Sequence, residues 1–103
     1  MIAHLVAFRF QDDVAPDHVE TVWSALQGLV ATVPSLHAIY GGRDLGFNDA
    51  NYDMAFVAFF DDEAGWRAYQ SHPAHVEVGS TLVAPYLAAR AAAQFPWTGP
   101  LPG

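Results

Sequence analysis

Two segments of this chain carry apolar residues on both faces of a predicted strand, and this pattern restricts the fold more than any other. In residues 2–10 and 52–60, side chains alternate with the two-residue period of a β-strand. Both faces of both segments are mostly apolar. An antiparallel sheet that meets water on one side has a polar face there. The sequence therefore predicts a sheet that is covered on both sides.

A helix is predicted between these two strands. From Pro16 onwards, apolar residues recur at spacings of three and four, which gives one apolar stripe that ends at Pro34. A second strand is predicted at residues 36–40. A second helix, with acidic residues in its first turn, follows the 52–60 strand.

Residues 88–95 give conflicting signals. Their alanines favour a helix by propensity, whereas the order of the preceding elements asks for a final strand. We predict a strand, which completes the β-α-β-β-α-β order of the ferredoxin-like fold, in the α+β class. Residues 96–103 contain three prolines and are predicted to be an irregular tail of a single domain spanning residues 1–103.

In this fold the helices cover only one face of the sheet. The other face would carry an apolar patch formed by Ala3, Leu5, Ala7, Ala55, Val57 and Phe59. A patch of this kind on a small protein usually marks an interface. We therefore predict a two-fold homodimer in which two sheets pack against each other.

The composition limits the partners and the compartment. The net charge is −7, there is no lysine, and the four arginines are scattered along the chain. No basic stripe can form, which argues against nucleic acid and anionic membrane surfaces as partners. Cysteine is absent, no apolar run approaches the roughly 20 residues of a membrane span, and no signal peptide is visible. These features predict a cytoplasmic protein, and the lysine-free, alanine-rich usage suggests a bacterial one.

The candidate functional residues are concentrated near Pro73. Tyr69, His72 and His75 are spaced three apart, so one helical turn separates each from the next. Proline disfavours helix at the residue before it and suits the first position of a new helix. The sequence therefore predicts a bend at Pro73 that brings Tyr69 and His75 towards one space.

These residue types suit acid–base chemistry on a carbonyl compound. A histidine, with an ordinary pKa of about 6.5, can remove a proton next to a carbonyl, and a tyrosine hydroxyl can donate to the enolate oxygen. His75 and Tyr69 would take these roles. The alternative is that both make only local hydrogen bonds at a helix end. His4, on an apolar strand face, is either a pocket group or a buried histidine bonded to a neighbour, and His72 is interpreted as a cap of the new helix.

A zinc site is a further alternative. His72 and His75 have a spacing that zinc ligands on a helix can have, and His4 or Glu77 could supply a third ligand. Pro73 disrupts the simple helical geometry between them. We predict no metal and no organic cofactor.

The run Tyr-x-x-His-Pro-x-His-x-x-x-Gly at residues 69–79, the first strand containing His4 and the order of elements resemble the stress-responsive A/B barrel (Dabb) family of dimeric α+β barrels. Within that family, the run is similar to that of a plant polyketide cyclase. The resemblance implies that His75 and Tyr69 are catalytic and that His4 lines the pocket. A further pocket histidine of the cyclase has no counterpart, because Met54 stands there.

The resemblance implies a small-molecule enzyme that closes an apolar poly-β-ketone by intramolecular aldol-type cyclisation. The alternatives are a non-catalytic dimeric stress-response or ligand-binding protein and a cofactor-free monooxygenase of aromatic polyketides. An enzyme requires a cavity with Tyr69 and His75 both pointing in, whereas a filled core there favours the non-catalytic alternative. The candidate substrate-binding residues are His4, Phe8, Met54, Trp66 and His72.

Overall fold

The computed structural model describes residues 1–102 and contains four strands and three α-helices. In chain order the elements are β1 (Ile2–Phe10), α1 (His18–Thr32), β2 (Ala38–Arg43), β3 (Met54–Phe60), α2 (Glu63–Ser71), α3 (Pro73–Val78) and β4 (Leu87–Pro96). A π-helical turn (Gly79–Val83) and a 3₁₀ turn (Ala84–Tyr86) connect α3 to β4.

The four strands form one antiparallel sheet in the order β2-β3-β1-β4. This is the ferredoxin-like α+β topology that the element order predicts. The central strand β1 pairs with β3 along one edge and with β4 along the other, so that His4 lies between Ala58 and Gln94. This register decides which side chains of β4 share the helix-covered face with His4.

The prediction of a final strand is confirmed. β4 pairs with β1 from Leu87 to Pro96, so backbone pairing overrides the helical preference of its alanines. The rest of the predicted tail, residues 97–102, has no regular secondary structure, and Gly103 lies outside the described residues.

The predicted bounds of the second strand are wrong. It does not end at residue 40 but continues through Gly41 and Gly42 to Arg43. A Cβ on Gly41 would lie 2.2 Å from the Ala55 carbonyl oxygen and 2.7 Å from the Phe56 Cβ. Glycine is needed here because β3 passes too close for a side chain, and it does not mark a turn.

The core lies between the sheet and the helices. The apolar stripe of α1 buries Val19, Val22, Leu26 and Leu29 against the inner side chains of β1 and β3. Each is at most 5 % exposed. Burial of this stripe, rather than helix propensity, is the main stabilisation of a helix of this length.

The face of the sheet opposite the helices is apolar and largely open. Leu5, Tyr40 and Phe95 are each between 37 % and 44 % exposed on this face. Part of the predicted patch is covered from within the chain, because Trp97 packs on Phe59 with ring centroids 5.2 Å apart. Among residues 1–102, no helix is both long enough and apolar enough to cross a membrane.

Candidate active site

A cavity of about 280 Å³ opens between the sheet and the segment from α3 to the 3₁₀ turn. Its wall is mainly apolar and comes from β1, α1, β3 and the π-helical turn. Four polar side chains interrupt this wall: His4, Gln70, His75 and Arg90. An apolar cavity with a few converging polar groups is the usual form of a small-molecule site.

The bend at Pro73 creates one side of this cavity. The carboxylate of Asp62 caps α2 by accepting from the Gly65 N–H at 2.9 Å. The chain then leaves the helix at His72, whose Nδ1 accepts from the Ala74 N–H at 3.1 Å, and α3 begins at Pro73. His72 therefore has the capping role that its position before proline predicts.

The bend brings Tyr69 and His75 together, as predicted. Their ring centroids are 4.1 Å apart with the rings tilted by 40°. Tyr69 is fully buried and packs between His75, Phe60 and His4, and it does not contribute to the cavity wall. His75 lines the cavity in front of it.

A backbone hydrogen bond sets the tautomer of His75. Its Nδ1 lies 3.3 Å from the carbonyl oxygen of Gln70. Because a carbonyl can only accept, Nδ1 carries the proton, and in the neutral ring Nε2 is left as a base. Burial lowers the pKa of His75, and the positive charges of Arg90 and His72 act in the same direction against the effect of the Gln70 bond. The neutral, basic form of His75 is therefore favoured near neutral pH.

His4 is a second imidazole on the cavity wall, and it is only 2 % exposed. Its Nδ1 lies 2.8 Å from Nε2 of Gln94 on β4. An amide nitrogen can only donate, so Nδ1 accepts and neutral His4 keeps its proton on Nε2. Burial, followed by the nearby charges of Arg90 and His75, lowers the pKa of His4 from 6.5 to about 4. His4 is thus a neutral N–H donor at physiological pH.

The Tyr69 hydroxyl is buried and has no hydrogen-bond partner within residues 1–102. Burial raises the pKa of Tyr69 to about 12, so the hydroxyl stays protonated and can only act as a neutral donor or acceptor. An unpaired buried hydroxyl costs about 1–3 kcal/mol of stability. Such a group is unusual in a core and is more common where a ligand completes the hydrogen bond.

The structure brings together only some of the predicted site residues. Three of them line the cavity: His4, Phe8 and His75. Met54 is 1 % exposed in the core, and Trp66 packs against that core, so neither reaches the cavity wall. His72 also lies outside the wall, in its capping position.

Three polar residues of the site, Gln70, Arg90 and Gln94, were not identified from the sequence. Arg90 and Gln94 lie in the segment whose secondary structure was ambiguous, and β4 pairing places Arg90 opposite Phe8 and Gln94 opposite His4. The signal was present in the two-residue period, since once residues 88–95 are a strand beside β1, residues 90 and 94 share the inner face with His4.

The described residues do not offer a metal site. Within residues 1–102, no three His, Asp or Glu side chains converge closely enough to hold a metal ion. His72 Nδ1 accepts the helix-capping hydrogen bond from Ala74 N–H. This nitrogen is therefore not free to bind a zinc ion together with His75.

The stability of the protein is expected to fall as the pH drops from about 6.5 to about 4. The pKa of His4 is lower in the folded protein than the 6.5 of an unfolded chain. Between these two pH values the unfolded state binds a proton at His4 and the folded state does not, so acid favours unfolding. Above pH 6.5 the contribution of His4 to the unfolding free energy is constant. The loss should be of the order of 3 kcal/mol, measured by urea unfolding at a series of pH values.

A matched control is available for this pH dependence. His37 is exposed and pairs with Asp61 at 2.9 Å. The variant His37→Gln should keep the loss of stability below pH 6.5, whereas His4→Gln should reduce it. An unfolding free energy that does not change between pH 7 and pH 4.5 would contradict the buried, neutral state of His4.

The architecture and the cavity define a ferredoxin-like α+β protein with a small-molecule-sized, histidine-lined cavity under its helices. The sequence also matches the Dabb model, the stress responsive A/B barrel domain, over residues 2–96. The chain therefore belongs to the stress-responsive A/B barrel family, as the run around Pro73 indicated.

Two similar proteins match most of the chain. The stress-response A/B barrel domain-containing protein HS1 of Arabidopsis thaliana is 27 % identical over 84 residues, covering 80 % of this chain and 77 % of that protein. A dimeric ferredoxin-like protein of unknown function from Thermobifida fusca is 48 % identical, covering 91 % and 88 % of the two chains with a TM-score of 0.82.

SnoaB, a cofactor-independent oxygenase from Streptomyces nogalater, covers 99 % of this chain and 97 % of its own with a TM-score of 0.74. At 17 % identity, this third likeness shows the shared fold alone.

Proposed function

We propose that this protein is a small-molecule enzyme that removes a proton next to a carbonyl, in an intramolecular aldol-type cyclisation of an apolar poly-β-ketone. The observation that carries the proposal is the state of His75. The Gln70 carbonyl holds the proton on Nδ1, which leaves the Nε2 of a cavity-lining imidazole as the base. A base of lowered pKa is deprotonated at neutral pH, as proton abstraction requires.

The enolate formed by this step needs hydrogen-bond donors. His4 supplies a neutral N–H from the cavity wall, because its Nδ1 is occupied by Gln94. The second proposed donor is the Tyr69 hydroxyl, which has no partner among the described residues. Its ring packs behind that of His75, outside the cavity wall, so this role requires the His75 ring to turn when substrate binds. Donors fixed in a water-poor cavity stabilise an oxyanion more strongly than the same groups in water.

After proton abstraction, the enolate carbon attacks a second carbonyl of the same substrate and forms the new carbon–carbon bond. The proton held on His75 Nε2 then passes to the oxygen of the attacked carbonyl, which becomes a hydroxyl. His75 returns to its neutral form, so the step needs no external oxidant or reductant. The apolar wall excludes water that would otherwise compete for the base.

Solvent deuterium exchange tests the first step without knowledge of the natural substrate. In D₂O, the protein should catalyse exchange of the α-protons of 1-phenylbutane-1,3-dione above the buffer rate, as followed by proton NMR. A panel of poly-β-keto acids then tests cyclisation. Oxygen consumption without exchange would favour the monooxygenase alternative, and the absence of both activities would favour a binding protein.

We also propose that the protein is a two-fold homodimer that closes the open apolar face of its sheet. Leu5 lies at the centre of that face, paired in register with Val57 and Ala93, and is 44 % exposed. The related Thermobifida fusca protein is dimeric. Exposed apolar strands on a small domain are otherwise a site of aggregation.

The variant Leu5→Glu should therefore convert a dimer into a monomer. A carboxylate at the centre of a sheet-to-sheet contact would be buried without a partner, which costs several kcal/mol. Sedimentation velocity should give twice the mass of one chain for the native protein and a single mass for the variant. Leu45→Glu is the matched control, since Leu45 is 77 % exposed in the loop after β2 and should leave the dimer intact.

A further inference from the structure

Arg90 differs from the other three arginines because its guanidinium has no acidic or carbonyl partner within residues 1–102. Arg9 donates to the carbonyl oxygens of Ala50 and Asn51 at 2.6 Å and 3.0 Å. The other two form ion pairs at 2.7 Å, Arg43 with Glu20 and Arg67 with Glu63. Arg90 lines the cavity instead.

The surroundings of Arg90 do not compensate its charge. The chain has 11 acidic residues against four arginines, yet no aspartate or glutamate lines the cavity. The guanidinium is close enough to lower the pKa of both His4 and His75. The polar side chains on the wall are therefore one permanent cation, two imidazoles and one amide, without a negative group.

We propose that Arg90 anchors the carboxylate of the ligand, so that the cavity selects small apolar acids over neutral compounds of the same shape. A guanidinium presents a planar fork of N–H donors that matches the two oxygens of a carboxylate. The proposal concerns the same cavity as the proposed function, and it adds the class of ligand that the enzyme accepts.

The position of Arg90 fixes the orientation of such a ligand. Arg90 is exposed, on an edge strand opposite Phe8 of β1, and therefore stands at the solvent side of the cavity. An acid would keep its carboxylate there and extend its apolar part over Phe8 and Val6. A volume of about 280 Å³ lies just below the usual range of ligand cavities, roughly 300–1,000 Å³. The ligand is therefore of about the size of one ring with a short chain.

The direct test compares an acid with its neutral isostere. Calorimetric titrations of the native protein with 4-phenylbutanoate and 4-phenylbutanamide should show about tenfold or greater preference for the acid, as expected for a charge-assisted pair. Higher salt should weaken binding of the acid and leave the amide unaffected. Chemical shifts of the His4 and His75 rings locate both probes in the cavity.

Variants assign the preference to one side chain. Arg90→Gln should bind acid and amide equally well, and Arg90→Lys should keep part of the preference, because it retains the charge without the fork. Arg67→Gln is the matched control: it removes an exposed arginine of α2 and should keep the full preference. Circular dichroism confirms that each variant is folded.

Three results would overturn the proposal: equal binding of the two probes by the native protein, an acid preference that survives in Arg90→Gln, or no binding of either probe. These binding results can be distinguished from the results of the deuterium-exchange test of proton abstraction. If the acid preference is found while neither the neutral diketone nor the poly-β-keto acids react, the anchor stands and the proposed reaction fails. If exchange is found without an acid preference, the reaction stands and the anchor fails.

Discussion

The His75→Asn protein is expected to exchange the α-protons of a 1,3-diketone about 10²- to 10⁴-fold more slowly than the native protein, which is the usual contribution of a positioned general base. The asparagine amide can still donate to the Gln70 carbonyl, the hydrogen bond that His75 Nδ1 makes at 3.3 Å. What it lacks is the basic Nε2. The substitution therefore removes the base and preserves the local hydrogen bond, so that a loss of rate reports on chemistry.

The control for this variant lies three residues earlier. His72→Asn places an amide oxygen where the histidine Nδ1 accepts from Ala74 N–H, and asparagine is a favourable residue at a helix N-terminus. His72 is outside the cavity wall, so this variant should keep the native exchange rate. Equal losses in both variants would mean that the bend, and not the base, is what the assay detects.

The same base predicts the pH profile of exchange. In the proposed reaction His75 acts only when deprotonated, so the rate should rise with pH and reach a plateau. Because burial lowers the pKa of His75, the plateau should begin at a lower pH than the ordinary histidine value of about 6.5 would give. A rate that is independent of pH from 4 to 8 would exclude a titrating imidazole as the base.

The Tyr69→Phe protein is expected to lose activity without losing stability. The hydroxyl is buried and has no partner within residues 1–102, so its removal takes away a desolvation cost of about 1–3 kcal/mol and leaves the packing of the ring unchanged. The unfolding free energy should therefore stay the same or rise. If the hydroxyl donates to the enolate oxygen, the exchange rate should fall by about 10²- to 10³-fold.

This variant is informative because activity is expected to fall while the unfolding free energy does not. Loss of a hydroxyl that only made a structural hydrogen bond would lower the unfolding free energy. An unchanged or higher unfolding free energy together with a slower exchange rate would therefore point to a role of the Tyr69 hydroxyl in the reaction. Tyr52→Phe is the control, because that half-buried ring lies beneath the Arg9 guanidinium, 5.2 Å away, and outside the cavity wall. It should change neither quantity appreciably. Full activity in Tyr69→Phe would leave the His4 N–H as the donor, and a marked loss of stability would mean that the hydroxyl is paired.

Much of the fold could be predicted from the sequence because it depends on local patterns. The two-residue period defined β1 and β3, the three- and four-residue spacing defined α1, and Pro73 defined the bend between α2 and α3. The proximity of Tyr69 and His75 followed from the same bend. Each of these features depends on neighbours within a few positions along the chain.

The tertiary structure decided the rest, because it depends on contacts between distant segments. Gly41 belongs to a strand only because β3 passes within 2.2 Å of where its Cβ would be. Trp66 and Met54 carry no signal in the sequence that separates a core position from a cavity wall, since both positions are apolar. The pairing of β4 with β1 brings Gln94 to His4 across 90 positions of the chain, and this contact decides the tautomer of His4. The same pairing places Arg90 on the cavity wall, and this decides the charge of the cavity. The sequence by itself determined most of the elements and the proximity of Tyr69 and His75, whereas packing decided which groups face the cavity and what charge they hold there.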